Sequence, residues 1–217
     1  MITEADRRAE AALEAVLREE RPGDAVTGEE GATVGGRGGG ADAGRHWLLD
    51  PVDGTLNYAS GQPAWCSAVA LVQGGAPLVS AIYDPVHDEL WSTAHEEGAT
   101  CNGARLQVAT PPRSLAAATV AAFVDARRRD PGIVAGTDAL TRRVGALRAL
   151  GCGSLELAWV AAGRWHGFSQ ADAEPWDWYP GALLVAEAGG AVGVCGRWHV
   201  AASDAALRDE LLDCLGA

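Results

Sequence analysis

Residues 66–103 constrain the fold of this chain most, because three apolar runs, CSAVALVQGG, APLVSAIYDP and ELWSTAHEEGATCNG, follow one another with turn signals between them. The breaks fall at Gly74-Gly75, Asp84-Pro85 and Asn102-Gly103. Glycine and asparagine tolerate the left-handed backbone of tight turns, and proline fixes φ. Apolar runs of strand length between such turns predict an antiparallel meander. Helical signals surround it. From Asp6 onward Ala9, Ala12, Leu13, Val16 and Leu17 recur at helical spacing, and Pro22-Gly23 stops the pattern. HWLLD (46–50) predicts a short strand, and residues 54–60 a helix start. After the meander come LQVAT, ATVAAFV, an arginine-bearing helix over 137–150 and a helix over 153–163. GRWHGFSQ predicts a strand, and WDWYPGALLVAEAGG a buried helix closed by Gly189-Gly190. VGVCG and WHVAAS add strands before a last helix over 204–215. Strands and helices alternating in blocks predict a layered α/β or α+β protein. At 217 residues the chain suits one domain, with possible subdomains at about 1–112 and 113–217.

Charge and cysteine usage narrow the function. The chain carries 17 basic and 29 acidic side chains, a net charge of −12, with no basic cluster interleaved with aromatics. That argues against a nucleic-acid polymer as partner. A small phosphorylated substrate remains compatible, because bound cations reverse the local sign of an acidic pocket. The five cysteines, Cys66, Cys101, Cys152, Cys195 and Cys214, are odd in number and form no CxxC pair. They read as reduced, mostly buried thiols rather than a disulfide framework or a zinc site. The first twenty residues carry charge at every turn, and no segment offers a membrane-length apolar run, so no membrane partner and a cytoplasmic location are expected. The GGRGGG run lacks the Lys-Ser/Thr of a phosphate-binding P-loop and reads as a mobile loop.

Four acidic stretches carry the chemistry: TEAD (3–6), GEE (28–30), DPVDGT (50–55) and EPWDWYPGALLVAEAGG (174–190). Each places a carboxylate at the edge of a regular element. Singly, Asp50 and Asp53 read as turn formers or caps, and Asp6 as a helix cap. Jointly, such acids suit a hard divalent cation such as Mg²⁺, which takes carboxylates, waters and substrate phosphate as ligands. The order and spacing of the four stretches resemble the inositol monophosphatase family of Mg²⁺-dependent phosphatases. The likeness also covers SAIYDPVHDELWSTAHEEGATCNGARLQVAT and runs over nearly the whole chain.

The resemblance implies an α+β fold with α-β-α-β-α layers. It also implies a phosphomonoesterase that hydrolyses a small sugar, polyol or nucleoside monophosphate by two-metal activation of water. By the same resemblance Glu29, Asp50, the Val52 carbonyl, Asp53 and Asp177 hold two or three Mg²⁺ ions, with Glu30 the second choice in GEE. Asp53, Gly54 and Thr55 bind phosphate, where a helix N-terminus favours an anion. Thr55 and Asp6 orient the attacking water, with Glu29 as a further catalytic group. Lithium sensitivity and a homodimer are implied too.

The sequence departs from the family pattern in three places. The chain begins almost on TEAD, where the family carries a leading helix upstream, so either a start codon chosen late or a shortened member is expected. Gln170 stands where members acting on inositol phosphates carry a glutamate that contacts ring hydroxyls. Gly153 and Ser154, in GCGSLELAW, replace the usual run beside the substrate and either leave room for a larger group or pack tightly. If Trp165 or Phe168 faces the cleft, it could stack on a base, which would suit a nucleoside phosphate. Two alternatives stay open: a phosphatase for a nucleoside or aminosugar intermediate of specialised metabolism, and a non-catalytic relative that binds phosphate or metal.

Overall fold

The computed structural model describes residues 2–31, 33–35, 44–124 and 130–216. The chain opens with α1 (Glu4–Glu20), β1 (Ala25–Gly28) and β2 (Thr33–Val34), then runs through β3 (Arg45–Asp53) into α2 (Thr55–Ala59). The meander follows as β4 (Cys66–Gln73), β5 (Ala76–Asp84), β6 (Glu89–Ala94), β7 (Gly98–Cys101) and β8 (Ala104–Arg105). The remainder comprises β9 (Thr119–Ala122), α3 (Pro131–Arg143), β10 (Ala146–Arg148), α4 (Gly153–Ala161), β11 (Gly167–Ala171), α5 (Pro175–Glu187), β12 (Ala191–Cys195), β13 (Trp198–Ala202) and α6 (Ala205–Leu215).

These strands form two sheets, ordered β2-β1-β3-β4-β5-β6-β7-β8 and β10-β9-β11-β13-β12. Helix α1 packs on β3, α4 and α5 pack on each other and reach strands of both sheets, and α3 with α6 flanks the second sheet. The result is the α-β-α-β-α layering. Side-chain alternation on the second sheet explains it, since successive strand residues face opposite sides. On β9, Ala121 joins the core shared with α4 and α5, while Val120 and Ala122 join the core under α6. Helices α4 and α5 are therefore apolar on nearly every side, as elements enclosed between two sheets must be. Their contact is close: a Cβ added to Gly181 of α5 would lie 2.3 Å from the Leu157 Cβ of α4.

Two local expectations change. The arginine-bearing helix ends at Arg143 rather than 150, and residues 146–148 form an edge strand parallel to β9. Asp130 caps that helix early, accepting from the Gly132 N–H at 2.9 Å with Pro131 in the first turn, which moves the helix forward along the chain. The strand expected over 46–50 runs on to Asp53, so Pro51 lies inside a strand and not in a turn. After Gly35 the glycine run lies outside the described residues.

Candidate metal centre and phosphate site

The longer β3 explains how Asp50 and Asp53 can act together. Residues three apart on a regular strand point to opposite faces. Against β4, however, Asp50 pairs with Ala68 and Asp53 with Cys66, so β3 spends one residue more than its partner over this step. This is a bulge, and it returns Asp53 to the side of Asp50. Pro51, which has no N–H to give, sits where a central strand tolerates it. Both acids are buried, Asp50 at 2% and Asp53 at 8% exposure.

Glu29 follows β1, which runs parallel beside β3, and its N–H donates to the Leu49 carbonyl at 3.1 Å. Its carboxyl shares a hydrogen bond with Asp50. Asp177, in the first turn of α5, feels the charges of Asp53 and Glu29. The structure thus gathers Glu29, Asp50, Asp53 and Asp177. Burial, reinforced by neighbouring acids, raises Asp50 well above the carboxylate range. Burial also lifts Asp177 to about 7. Glu29 is exposed as a residue, yet partial desolvation of its carboxyl, with nearby acids, brings it to about 7.

Asp53 is raised by burial as well, but it is tied down on one side. The Ser154 N–H, at the start of α4, donates to its Oδ2 at 2.5 Å, and the Gly153 N–H contributes similarly. A helix N-terminus so placed favours the carboxylate form. Asp50 has no such relief: its Oδ1 is buried without a hydrogen-bond partner among the described residues. A buried acceptor left bare beside like charges is costly, and a cation among these oxygens would remove that cost. The all-oxygen donor set fits a hard divalent cation, with Glu29, Asp50, Asp53, Asp177 and the Val52 carbonyl as the groups at hand.

The TEAD stretch is a helix start with a second use. Thr3 caps α1, and Asp6 in turn accepts from the Thr3 N–H at 2.9 Å, so the pair forms a capping box. The other oxygen of Asp6 accepts from the Thr55 hydroxyl at 3.1 Å. Asp6 is therefore not the cap expected from sequence but the residue that answers it. The Val52 carbonyl lies 3.0 Å from the same hydroxyl. One hydroxyl proton serves one acceptor at a time. With its hydrogen bond given to Asp6, the Thr55 oxygen keeps its lone pairs for a water.

Gly54 precedes α2 in left-handed backbone, φ 89°, and a Cβ there would lie 2.8 Å from the Ala64 carbonyl oxygen. Both facts require glycine. Asn57, which the sequence reading passed over, holds this turn by donating to the Ala64 and Leu150 carbonyls, each at 2.7 Å. A buried amide in a five-residue helix leaves no periodic signal. Gln170, expected at the substrate, is 2% exposed. It donates to Asp177 Oδ2 at 3.3 Å, while its Oε1 has no partner among the described residues and lies 3.0 Å from where a Gly153 Cβ would be. Ser154 is fully buried, and its hydroxyl has no partner among those residues either. Phe168 is fully buried, and Trp165 packs edge-on against Trp159, so neither ring is offered to a base.

Comparison with known proteins identifies the family. The model of the inositol monophosphatase family matches residues 1–200. An inositol-1-monophosphatase of Rhizobium meliloti is 33% identical over 216 residues, covering 92% of this chain and 79% of that protein. The Nus factor SuhB of Pseudomonas aeruginosa is 36% identical over 195 residues, 88% of this chain and 71% of that protein. The solved inositol monophosphatase of Anabaena superposes with a TM-score of 0.88 at 33% identity, covering 99% of this chain and 87% of the other. This chain belongs to the inositol monophosphatase family of metal-dependent phosphatases and is a phosphoric monoester hydrolase.

Proposed function

We propose that the protein is a Mg²⁺-dependent phosphomonoesterase acting on a small sugar or polyol monophosphate. Glu29, Asp50, the Val52 carbonyl, Asp53 and Asp177 would hold two or three ions. The observation that carries this reading is the buried Asp50 oxygen that has no partner among the described residues, on a carboxyl raised by burial and by Asp53, Glu29 and Asp177. Bound Mg²⁺ would neutralise phosphate charge and make a nearby water more acidic.

The chain's own residues do the remaining work. Asp6 accepts a hydrogen bond from the Thr55 hydroxyl, which leaves the hydroxyl oxygen able to accept in turn from a water and aim it at phosphorus. Free N–H groups after Gly54 receive phosphate oxygens, with no Cβ in the way. Gln170 is enclosed beside Gly153 and donates to Asp177 Oδ2 at 3.3 Å, which helps to orient that carboxylate as a ligand. Since Trp165 and Phe168 belong to the core, we favour a sugar or polyol over a nucleoside as the leaving group. We read the molecule as a single domain and expect a homodimer. The five free cysteines support a cytoplasmic setting.

The test is phosphate release with and without Mg²⁺ from inositol 1-phosphate, histidinol phosphate, fructose 1,6-bisphosphate and nucleoside monophosphates. Asp53→Asn serves as control. Mg²⁺-dependent release that vanishes in the variant is expected, with lithium inhibiting. Release that persists in Asp53→Asn would sink the ligand assignment.

A further inference from the structure

We propose that Asp53, Cys66 and Cys152 form a binding site for a thiophilic divalent cation of the zinc class, set behind the acids of the phosphate site and sharing Asp53 with them. A sulfur from each cysteine and a carboxylate oxygen of Asp53 all lie within 4.8 Å of one another, and all three residues are buried. The two sulfurs are 3.5 Å apart. A tetrahedral zinc ion with Zn–S bonds of about 2.3 Å sets its sulfurs about 3.8 Å apart, so the pair needs to open only slightly.

The fold supplies these donors from two rigid elements. Cys66 stands directly across from Asp53 in the β3–β4 ladder, which puts both side chains on one face. Cys152 occupies the N-cap of α4, a position where serine, threonine or aspartate would normally cap the helix, yet it makes no capping bond. Its thiol donates to the Asp53 carbonyl at 3.3 Å. A tetrahedral ion on these three donors keeps its fourth position for a water. Separated by 86 positions and in no CxxC pair, the two cysteines give no metal signal in sequence. Filling apolar space does not by itself require two thiols to converge on a carboxylate.

Binding needs no redox partner. Each thiol gives its proton to solvent as a sulfur–metal bond forms, and no electron changes hands. An ion held here would draw Asp53 away from a hard cation and from phosphate. Zinc-class metals are then inhibitors whose potency depends on the two cysteines. This inhibition rests on the proposed phosphatase reading, whereas the binding itself does not.

The experiment is titration of the reduced, Mg²⁺-free full chain with Co²⁺ while following thiolate-to-cobalt charge-transfer absorbance. One equivalent should saturate the band, and Zn²⁺ should abolish it. Cys152→Ser and Cys66→Ala should each weaken Co²⁺ binding by about tenfold or more, since even changes one shell further out reach that size. At saturating Mg²⁺, Cys152→Ser should raise the Zn²⁺ concentration for half-inhibition by a similar factor. Zinc-edge X-ray absorption on the unsubstituted protein counts sulfurs without relying on any variant, and two are expected. An absent charge-transfer band in folded protein, an unchanged band in a variant that combines Cys66→Ala with Cys152→Ser, or a zinc shell without sulfur each overturns the site. Loss of phosphate release with the band intact instead overturns the phosphatase reading alone.

Discussion

Thr55 concentrates the proposed chemistry in one hydroxyl, poised between Asp6 and the Val52 carbonyl. Thr55→Ala should lower kcat by about 10²–10⁴-fold, the span of general acid–base effects, with KM little changed. Thr55→Ser should recover most of it, because it restores the hydroxyl; steady-state kinetics on the best substrate decides. Glu156, which is not itself a proposed ligand, offers a second test at this scale. It is fully buried in α4, accepts from the Leu150 N–H at 2.6 Å, and burial lifts it to about 8. A carboxyl raised on folding binds its proton more tightly in the folded state, so stability falls as pH rises from about 4.5 to about 8 and levels off above. Glu156→Gln keeps the acceptor and removes that dependence. Its thermal midpoint should gain on the parent across this window, by the equivalent of a few kcal/mol at the upper end, and a constant difference between the two melting curves at all pH values would contradict the argument. Residues of this kind divide by how they announce themselves. Asp50, Asp53 and Asp177 were legible because their chemistry sits in contiguous motifs. Glu156 and the Cys66–Cys152 pair were not, since only the tertiary fold places them.

At the scale of elements, the bulge in β3 and the contact of α4 with α5 set the site's geometry. The strand that carries both aspartates was foreseen, but its extent was not. Proline suggested a turn, whereas the neighbouring strand continues to pair as far as Asp53 and absorbs the proline in a bulge. Likewise the cap at Asp130 lies outside the arginine-rich stretch that suggested a helix over 137–150. The meander was legible because its turn pairs are local and its hairpins connect sequence neighbours, except that the run from Glu89 folds as two strands, β6 and β7, with an unforeseen turn at 95–97. The α4–α5 contact depends on long-range packing, which periodicity reports only as two apolar helices. Gly181→Ala tests it. The added Cβ meets the Leu157 side chain at 2.3–2.9 Å, including its Cβ, which cannot swing aside without moving the backbone, and Leu157 is fully buried. A loss of about 1–3 kcal/mol in chemical denaturation is expected. Activity should fall with it, because α4 carries the amides on Asp53 and α5 carries Asp177.

For the whole molecule, the consequence of the acid cluster is a trade between stability and function. Two buried aspartates make the comparison. Asp24 accepts from the Trp47 ring N–H at 2.9 Å and pairs with Arg45 at 3.5 Å, so its charge is answered within the fold. Asp50 shares a hydrogen bond with Glu29 but is raised by burial and by Asp53, Glu29 and Asp177, and one of its oxygens stays bare among the described residues. Removing the same charge should therefore act in opposite directions. Asp24→Asn should destabilise the metal-free protein by about 1–3 kcal/mol, the cost of disturbing buried hydrogen bonds to a charged group. Asp50→Asn should raise the metal-free thermal midpoint at about pH 8, because it takes one repelling charge from a desolvated cluster. Adding Mg²⁺ inverts the order. A cation that binds only the folded state stabilises it by about 2.7 kcal/mol at a hundredfold excess over its dissociation constant. The parent and Asp24→Asn should show that increment, and Asp50→Asn should show little or none. Thermal melts of the three proteins with and without Mg²⁺ provide the measurement. If Asp50→Asn proves less stable than the parent without metal, the cluster is not strained by its own charge and the case for a resident cation loses its physical basis. If it proves more stable yet releases no phosphate, the chain keeps an unfavourable arrangement of acids in its core because the reaction requires them there.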